Sequence, residues 1–122
     1  MALEDEIVKA IGAHAVWKMR LKAAIDTGQS EFQVAVVQQD NQCPFGKWLY
    51  AAQANVRASA DYKKVQEMHA RFHREAASVL ELALKGNKAE AEKRMAVGGA
   101  FAQLSSELIA AMTAWKGAQS NS

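Results

Sequence analysis

The stretch ADYKKVQEMHARFHREAASVLELALK, residues 60–85, decides the fold of this chain. Its apolar residues recur at three- and four-residue spacing, which is the pattern of one face of an α-helix. Gly86 follows the stretch, at a position where helices commonly end. His69 falls on the apolar face, and His73 lies one turn further along. The face is formed by Tyr62, Val65, Phe72, Val79 and Leu80.

Two other segments show the same periodicity. The first carries Ile7, Ile11, Trp17, Leu21 and Ile25 and ends at Asp26, Thr27 and Gly28. His14 lies on that apolar stripe, so its imidazole is expected to point into the protein. The last segment predicts one helix from Asn87 to Trp115. Gly98 and Gly99 interrupt it, and either a close backbone approach or a local kink would account for them.

Shorter helices are predicted between the first and third segments. One covers part of residues 32–37, where an extended segment is the alternative. Another runs from about Pro44 to Ala54, since proline is tolerated at a first helical position. The fold class is therefore all-α. We predict a four-helix-bundle-like helical bundle of three long helices plus one or two short ones. Residues 1–116 form its single domain, and residues 117–122 form a frayed tail.

Composition excludes several classes of protein. The formal net charge is only +2, and basic residues alternate with acidic ones, so no nucleic-acid partner is expected. No uninterrupted apolar run approaches the roughly 20 residues of a membrane span. The N-terminus is acidic, with Glu4, Asp5 and Glu6, where a signal peptide would be basic. These features predict a cytoplasmic protein with no membrane segment.

The chain has three histidines and one cysteine, which are the side chains that Zn(II) prefers. His69 and His73 are four residues apart, so their Cβ atoms are about 5–6 Å apart on one helix face. Cys43 precedes Pro44 at the start of a short helix, where free N–H groups favour a thiolate. With His14 these residues supply three nitrogens and one sulfur, a tetrahedral zinc set. Such a closed set leaves no position for a substrate and favours a sensor over an enzyme.

Other interpretations remain open at this point. Taken singly, His14 is typical of a hydrogen-bonded core histidine, Cys43 of a small buried residue and His73 of a solvent-facing one. If all three residues had these ordinary roles, the chain would be a metal-free structural or adaptor bundle. Haem on His69 or His14 is a further alternative, although the chain has no C-x-x-C-H attachment motif. A di-iron site is disfavoured because no Glu-x-x-His motif is present.

Three blocks of sequence resemble the bacterial chemoreceptor zinc-binding domain, or CZB, family. They are HAVWK at residues 14–18 with Leu21 and Gly28, Asp40 with CPFGKWLY at residues 43–50, and the pair in HARFH at residues 69–73. The resemblance implies a helical bundle that holds zinc through His14, Cys43, His69 and His73. Asp40, the carboxylate nearest Cys43, and Trp17 are candidates for orienting the ligands or tuning the thiolate.

The resemblance also implies a role in signalling. Family members belong to soluble chemoreceptors or diguanylate cyclases, and many self-associate as homodimers. Zinc occupancy, or oxidation of the zinc-bound cysteine by hypochlorous acid, is thought to alter their signalling. Since neither a receptor hairpin nor a cyclase domain accompanies the three blocks, we expect the signalling partner in trans, or in cis within a longer protein.

Overall fold

A computed structural model describes residues 2–120, with side chains for residues 3–118. The chain folds into α-helices, and no strand occurs within these residues, so the all-helical prediction is confirmed. The helices are α1 Ala2–Thr27, α2 Val34–Val37, α3 Pro44–Tyr50, α4 Ala54–Arg57, α5 Ala60–Leu84, α6 Lys88–Met95 and α7 Ala100–Ser120.

The three long helices enclose the core. Helices α1, α5 and α7 each contact the other two, and α6 packs against all three. These contacts fit a helical bundle, while its likeness to a four-helix bundle stays a prediction. Burying each large side chain contributes about 1.5–3 kcal/mol, so this interface is the main source of stability. The largest fully buried side chains include Ile7, Leu21, Tyr62, Phe72, Leu80, Phe101, Leu108, Met112 and Trp115.

The ends of α1 and α5 lie where the sequence predicts them. Helix α1 stops at Thr27, directly before Gly28. The hydroxyl oxygen of Ser59 accepts a hydrogen bond from the Tyr62 N–H at 3.0 Å and caps α5. Helix α5 then stops at Leu84, two residues before Gly86. Both helices therefore end within two residues of the glycines that the sequence marks as stops.

The short helix at Pro44 ends earlier than predicted. It stops at Tyr50 instead of continuing to Ala54, and a separate turn of helix, α4, begins at Ala54. The carbonyl of Leu49 accepts hydrogen bonds from the Tyr62 hydroxyl at 2.6 Å and the Ala52 N–H at 3.3 Å. These bonds satisfy an end carbonyl and turn the chain toward α5.

The prediction of one helix from Asn87 to Trp115 is wrong, because residues 96–99 separate α6 from α7. Gly98 has a φ of +85°, which a right-handed helix does not contain. A Cβ on Gly99 would collide with the carbonyl oxygens of Lys93 and Arg94. The local kink thus explains Gly98, and a close backbone approach explains Gly99. Helix α7 continues to Ser120, so residues 117–120 of the predicted tail are helical, and residues 121–122 lie outside the described chain.

One stretch, Lys88–Ala118, is long and apolar enough to cross a membrane by length and composition alone. Core helices of water-soluble proteins also meet this criterion, so it is weak support for a membrane span. The large apolar side chains of α7 pack into the bundle, including Phe101, Leu108, Met112 and Trp115. We therefore describe α7 as a bundle helix.

The kink gives a test of the fold. We expect Gly98→Ala to lower the free energy of unfolding by about 1–2 kcal/mol, because an L-residue is strained at positive φ. The control is Gly12→Ala on the exposed face of α1, where an added Cβ meets nothing within 4 Å. That change should instead stabilise by about 0.5–1 kcal/mol. Urea denaturation followed by circular dichroism measures both, and equal stabilisation by both would contradict the kink.

Candidate metal centre

The structure brings together the four side chains predicted as ligands. His14 comes from α1, His69 and His73 come from α5, and Cys43 is the N-cap residue of α3. One nitrogen of each imidazole and the Cys43 sulfur lie within 4.8 Å of one another. The three histidines are buried, and Cys43 is half-buried. Side chains up to 59 positions apart in the sequence thus meet at one point.

The spacing of these atoms has the size of a tetrahedral zinc site. His69 Nε2 is 3.0 Å from His14 Nε2, 3.1 Å from His73 Nε2 and 3.3 Å from Cys43 Sγ. The distance from Cys43 Sγ to His14 Nε2 is 3.9 Å. Ligand atoms on a tetrahedral Zn(II) are roughly 3.3–3.6 Å apart. The four measured distances, from 3.0 to 3.9 Å, extend just below and just above that range.

Hydrogen bonds at the other ring nitrogens set the orientation of two imidazoles. His14 Nδ1 donates to the Ala10 carbonyl at 2.7 Å, and His73 Nδ1 donates to the Val37 carbonyl at 2.9 Å. Each ring therefore turns an unprotonated Nε2 toward His69. His69 Nε2 carries at most one proton and cannot satisfy both lone pairs. A cation at the centre would satisfy all three nitrogens.

Burial keeps the imidazoles neutral. Desolvation lowers the pKa of His14 to about 4 and that of His69 to about 2, and it also lowers the pKa of His73. At neutral pH these nitrogens offer lone pairs without first losing a proton. The expectation that the helix start favours a Cys43 thiolate is wrong for the metal-free site, because burial raises the pKa of the thiol more than the Gly46 N–H lowers it. Metal binding would therefore release the thiol proton.

A close backbone approach at Gly46 holds Cys43 in place. The Gly46 N–H donates to Cys43 Sγ at 3.3 Å, as at a helix N-cap. A Cβ on Gly46 would collide with the backbone carbonyl of Asp40. Only glycine lets the segment before Cys43 fold back against α3. The Cys-Pro-Phe-Gly sequence thus supplies the ligand, the first helical residue and the space that the loop needs.

Asp40 and Trp17, the two residues predicted to support the ligands, lie beside the site. The Asp40 carboxylate accepts from the Tyr50 hydroxyl, at 3.1 Å and 2.9 Å to its two oxygens, and ties the loop to the end of α3. Its charge raises the pKa values of both His73 and Cys43, opposing the effect of burial at His73. Within residues 2–120 Asp40 hydrogen-bonds no ligand side chain. The Trp17 ring packs against the Phe32 ring, with 5.1 Å between the ring centroids.

Sequence reasoning missed other contributors to the site. The Phe72 ring centroid lies 5.2 Å from that of His14, and the Phe45 centroid lies 5.3 Å from that of His69, so both exclude water. Their positions in the cysteine and histidine blocks could have indicated this. The Val37 carbonyl, which holds His73, is a backbone group, and no side-chain pattern reveals it.

The donor set fits Zn(II), a borderline-soft ion that binds three nitrogens and one thiolate in a closed tetrahedron. The fold and the site define a helical protein with a preformed His₃Cys cluster. A sequence model of the chemoreceptor zinc-binding domain family matches residues 14–80, more than half of the 122 residues, and the match contains all four candidate ligands. This chain belongs to that family. No curated protein and no solved structure matches it.

Gly46 gives a test of how the site is built. We expect Gly46→Ala to weaken zinc binding about 10- to 100-fold, because the added methyl group must displace the loop that positions Cys43. The control is Gly117→Ala on α7, where a Cβ meets nothing within 4 Å. Competition with a chromophoric chelator measures both affinities. Unchanged affinity in Gly46→Ala would show that the loop does not position the sulfur.

The metal-free protein should lose stability in mild acid. Between pH 6.5 and about 5 the unfolded histidines gain protons, while folded His14 and His69, with pKa values of about 4 and about 2, remain neutral. The unfolded state therefore binds more protons, and the free energy of unfolding falls as the pH decreases. Above pH 6.5 this effect vanishes. Urea denaturation in a chelator measures it, and stability that is independent of pH across this window would contradict the buried neutral imidazoles.

Proposed function

We propose that this chain is a zinc-binding sensor domain in bacterial signalling, with zinc held by His14, Cys43, His69 and His73. The observation that carries the proposal is the convergence of three buried imidazole nitrogens and one sulfur within 4.8 Å. The family is a sensor and regulatory one, which supports a role in control over one in catalysis. A closed set of four protein ligands also disfavours an enzyme.

The ligands tie together parts of the fold that are distant in sequence. His14 belongs to α1, the two other histidines belong to α5, and Cys43 belongs to the start of α3. Bound Zn(II) would supply the positive charge at the centre and keep the Cys43 sulfur as a thiolate. Without that charge, the Nε2 lone pairs of His14 and His73 both point toward Nε2 of His69. Metal loss should therefore loosen the packing of α1, α3 and α5.

Cys43 is the candidate for a redox response. It is the one ligand among the four that is not fully buried, and its sulfur is the only one in the set. Hypochlorous acid would oxidise its thiolate to a sulfenic acid and release chloride. A sulfenic acid is a weaker ligand than a thiolate, so oxidation would have the same consequence as partial metal loss. Reduction by thiols would reverse it.

We further propose a cytoplasmic domain that acts as a homodimer on a chemoreceptor or a diguanylate cyclase, in cis or in trans. Exposed apolar side chains on the outer face of α1 support an interface, namely Val8, Val16 and Met19. The small residues around Gly98, Gly99 and Ala102 are a second candidate surface. The low net charge gives no support for a nucleic-acid partner.

The alternatives are weaker on geometric grounds. A metal-free structural bundle would leave two lone pairs facing a ring nitrogen that carries at most one proton. Haem needs an axial nitrogen that faces an open plane, whereas His14 Nε2 lies 3.0 Å from His69 Nε2 and 3.9 Å from Cys43 Sγ. A porphyrin ring has no space between these atoms.

Metal analysis tests the proposed function. Inductively coupled plasma mass spectrometry of protein purified without chelator should find about one zinc per chain, with strong loss in Cys43→Ala and His73→Ala. The control is Gln42→Ala, an exposed neighbour of Cys43. A chelator should lower the melting temperature of the wild type and of the control only. Zinc absent from the wild type, or unaffected in both ligand variants, would leave the structural bundle as the better interpretation.

A further inference from the structure

A cavity of about 520 Å³ lies between α1 and the segment that runs from residue 32 to residue 45. Its volume falls in the range of about 300–1,000 Å³ that is usual for small-molecule sites. Most of its wall is carbon, so it would favour an apolar group over water. The apolar wall includes Ala13, Trp17, Phe32, Val36, Pro44 and Phe45.

A cation without an anionic partner stands at the edge of this cavity. The Arg20 guanidinium lies 5.0 Å from the ring centroid of Trp17 and 4.8 Å from that of Phe32. Among the side chains of residues 3–118 and the backbone of residues 2–120, it has no ion pair and no hydrogen bond. Lys9, the other cation of the lining, lies 3.9 Å from a Glu6 oxygen. The two rings thus hold Arg20 in place and leave its donors available.

The floor of the cavity is the metal centre. His14, Cys43 and His73 line it, whereas His69 lies behind them and does not. Cys43 is half-buried, so a molecule in this part of the cavity would lie against it. The apolar wall, the available cation and the position of the ligands are three independent features of one site.

We propose that this cavity binds a small amphipathic carboxylate, with its apolar chain or ring between Trp17, Phe32 and Phe45 and its carboxylate on Arg20. A planar guanidinium can bind a carboxylate through two parallel hydrogen bonds. A doubly charged phosphate is a poorer match, because Arg20 is the one unpaired cation among the described residues of the lining and Glu6 adds negative charge there. The site thus selects one negative charge attached to an apolar body.

Occupancy of the cavity would control access to the sulfur. This step rests on the proposed function, since it matters only if Cys43 is the zinc-bound redox group. An apolar molecule against the cavity floor would exclude water and small polar reagents from Cys43. The carboxylate ligand and the oxidant would then act in opposition at one site.

Calorimetric titration with octanoate, below the concentrations at which it forms micelles, tests the binding. We expect one octanoate per chain and roughly fivefold weaker binding in Arg20→Gln. Ala13→Leu, which fills the cavity from an exposed position on α1, should abolish binding. Lys22→Gln removes a charge from the same helix outside the cavity and should bind like the wild type. Circular dichroism checks that each variant is folded.

Two results would overturn the proposal. Octanoate bound elsewhere would be insensitive to Ala13→Leu, so undiminished binding in that variant excludes this cavity. Equal affinity for octanoate and 1-octanol, or no effect of Arg20→Gln, excludes recognition of the carboxylate. These titrations do not depend on zinc, so their failure is distinct from a failure of the metal analysis.

The rate of Cys43 alkylation by iodoacetamide in the metal-free protein tests the shielding. Saturating octanoate should slow alkylation of the wild type and of Lys22→Gln, and it should leave the rate in Ala13→Leu unchanged. An alkylation rate in the wild type that is the same with and without bound octanoate would contradict shielding of the sulfur. Mass spectrometry of the intact chain follows the modification, since Cys43 is the one cysteine.

Discussion

The approach of His14 Nε2 to His69 Nε2, at 3.0 Å across the interface of α1 and α5, is the contact on which the rest of the site depends. Both rings are buried and neutral, so packing these helices removes polar nitrogens from water. His69 Nδ1 is buried without a hydrogen-bond partner among the described residues. An unsatisfied buried donor or acceptor costs about 1–3 kcal/mol. The centre of the bundle is therefore a place where the fold gives up stability, and a cation held by the three Nε2 atoms would offset part of that cost.

The two sides of the site are held in different ways. The histidines lie on helices of 26 and 25 residues whose apolar faces form the core. Cys43 lies at the start of a helix of seven residues, held by the Gly46 contact and by hydrogen bonds from Tyr50 to Asp40 and from Tyr62 to Leu49. A change at the sulfur would therefore move the short helix before it moved the long ones. Under the proposed function, the cysteine side is therefore the expected input of the sensor.

Helical periodicity could predict the half of the site that lies on long helices. His14 and His69 fall on apolar stripes, and His73 follows one turn later, so the sequence predicts that these side chains point into the bundle. Pro44 placed Cys43 at a helix start. The break at Gly98 was harder to predict, because the same glycines fit either close packing or a kink. The bonds from His73 to Val37 and from Tyr62 to Leu49 involve backbone carbonyls, whose positions depend on the tertiary fold. Arg20 lies off the apolar stripe, and only the folded loop brings Phe32 to it.

X-ray absorption at the zinc edge tests the central claim most directly, because it reports which atoms surround the metal. The account predicts about three nitrogens at roughly 2.0–2.1 Å and one sulfur at roughly 2.3 Å, with the sulfur contribution lost in Cys43→Ala. A zinc environment of nitrogen and oxygen alone in the wild-type protein would contradict it. So would a sulfur contribution that survives the substitution, since the chain has no other cysteine.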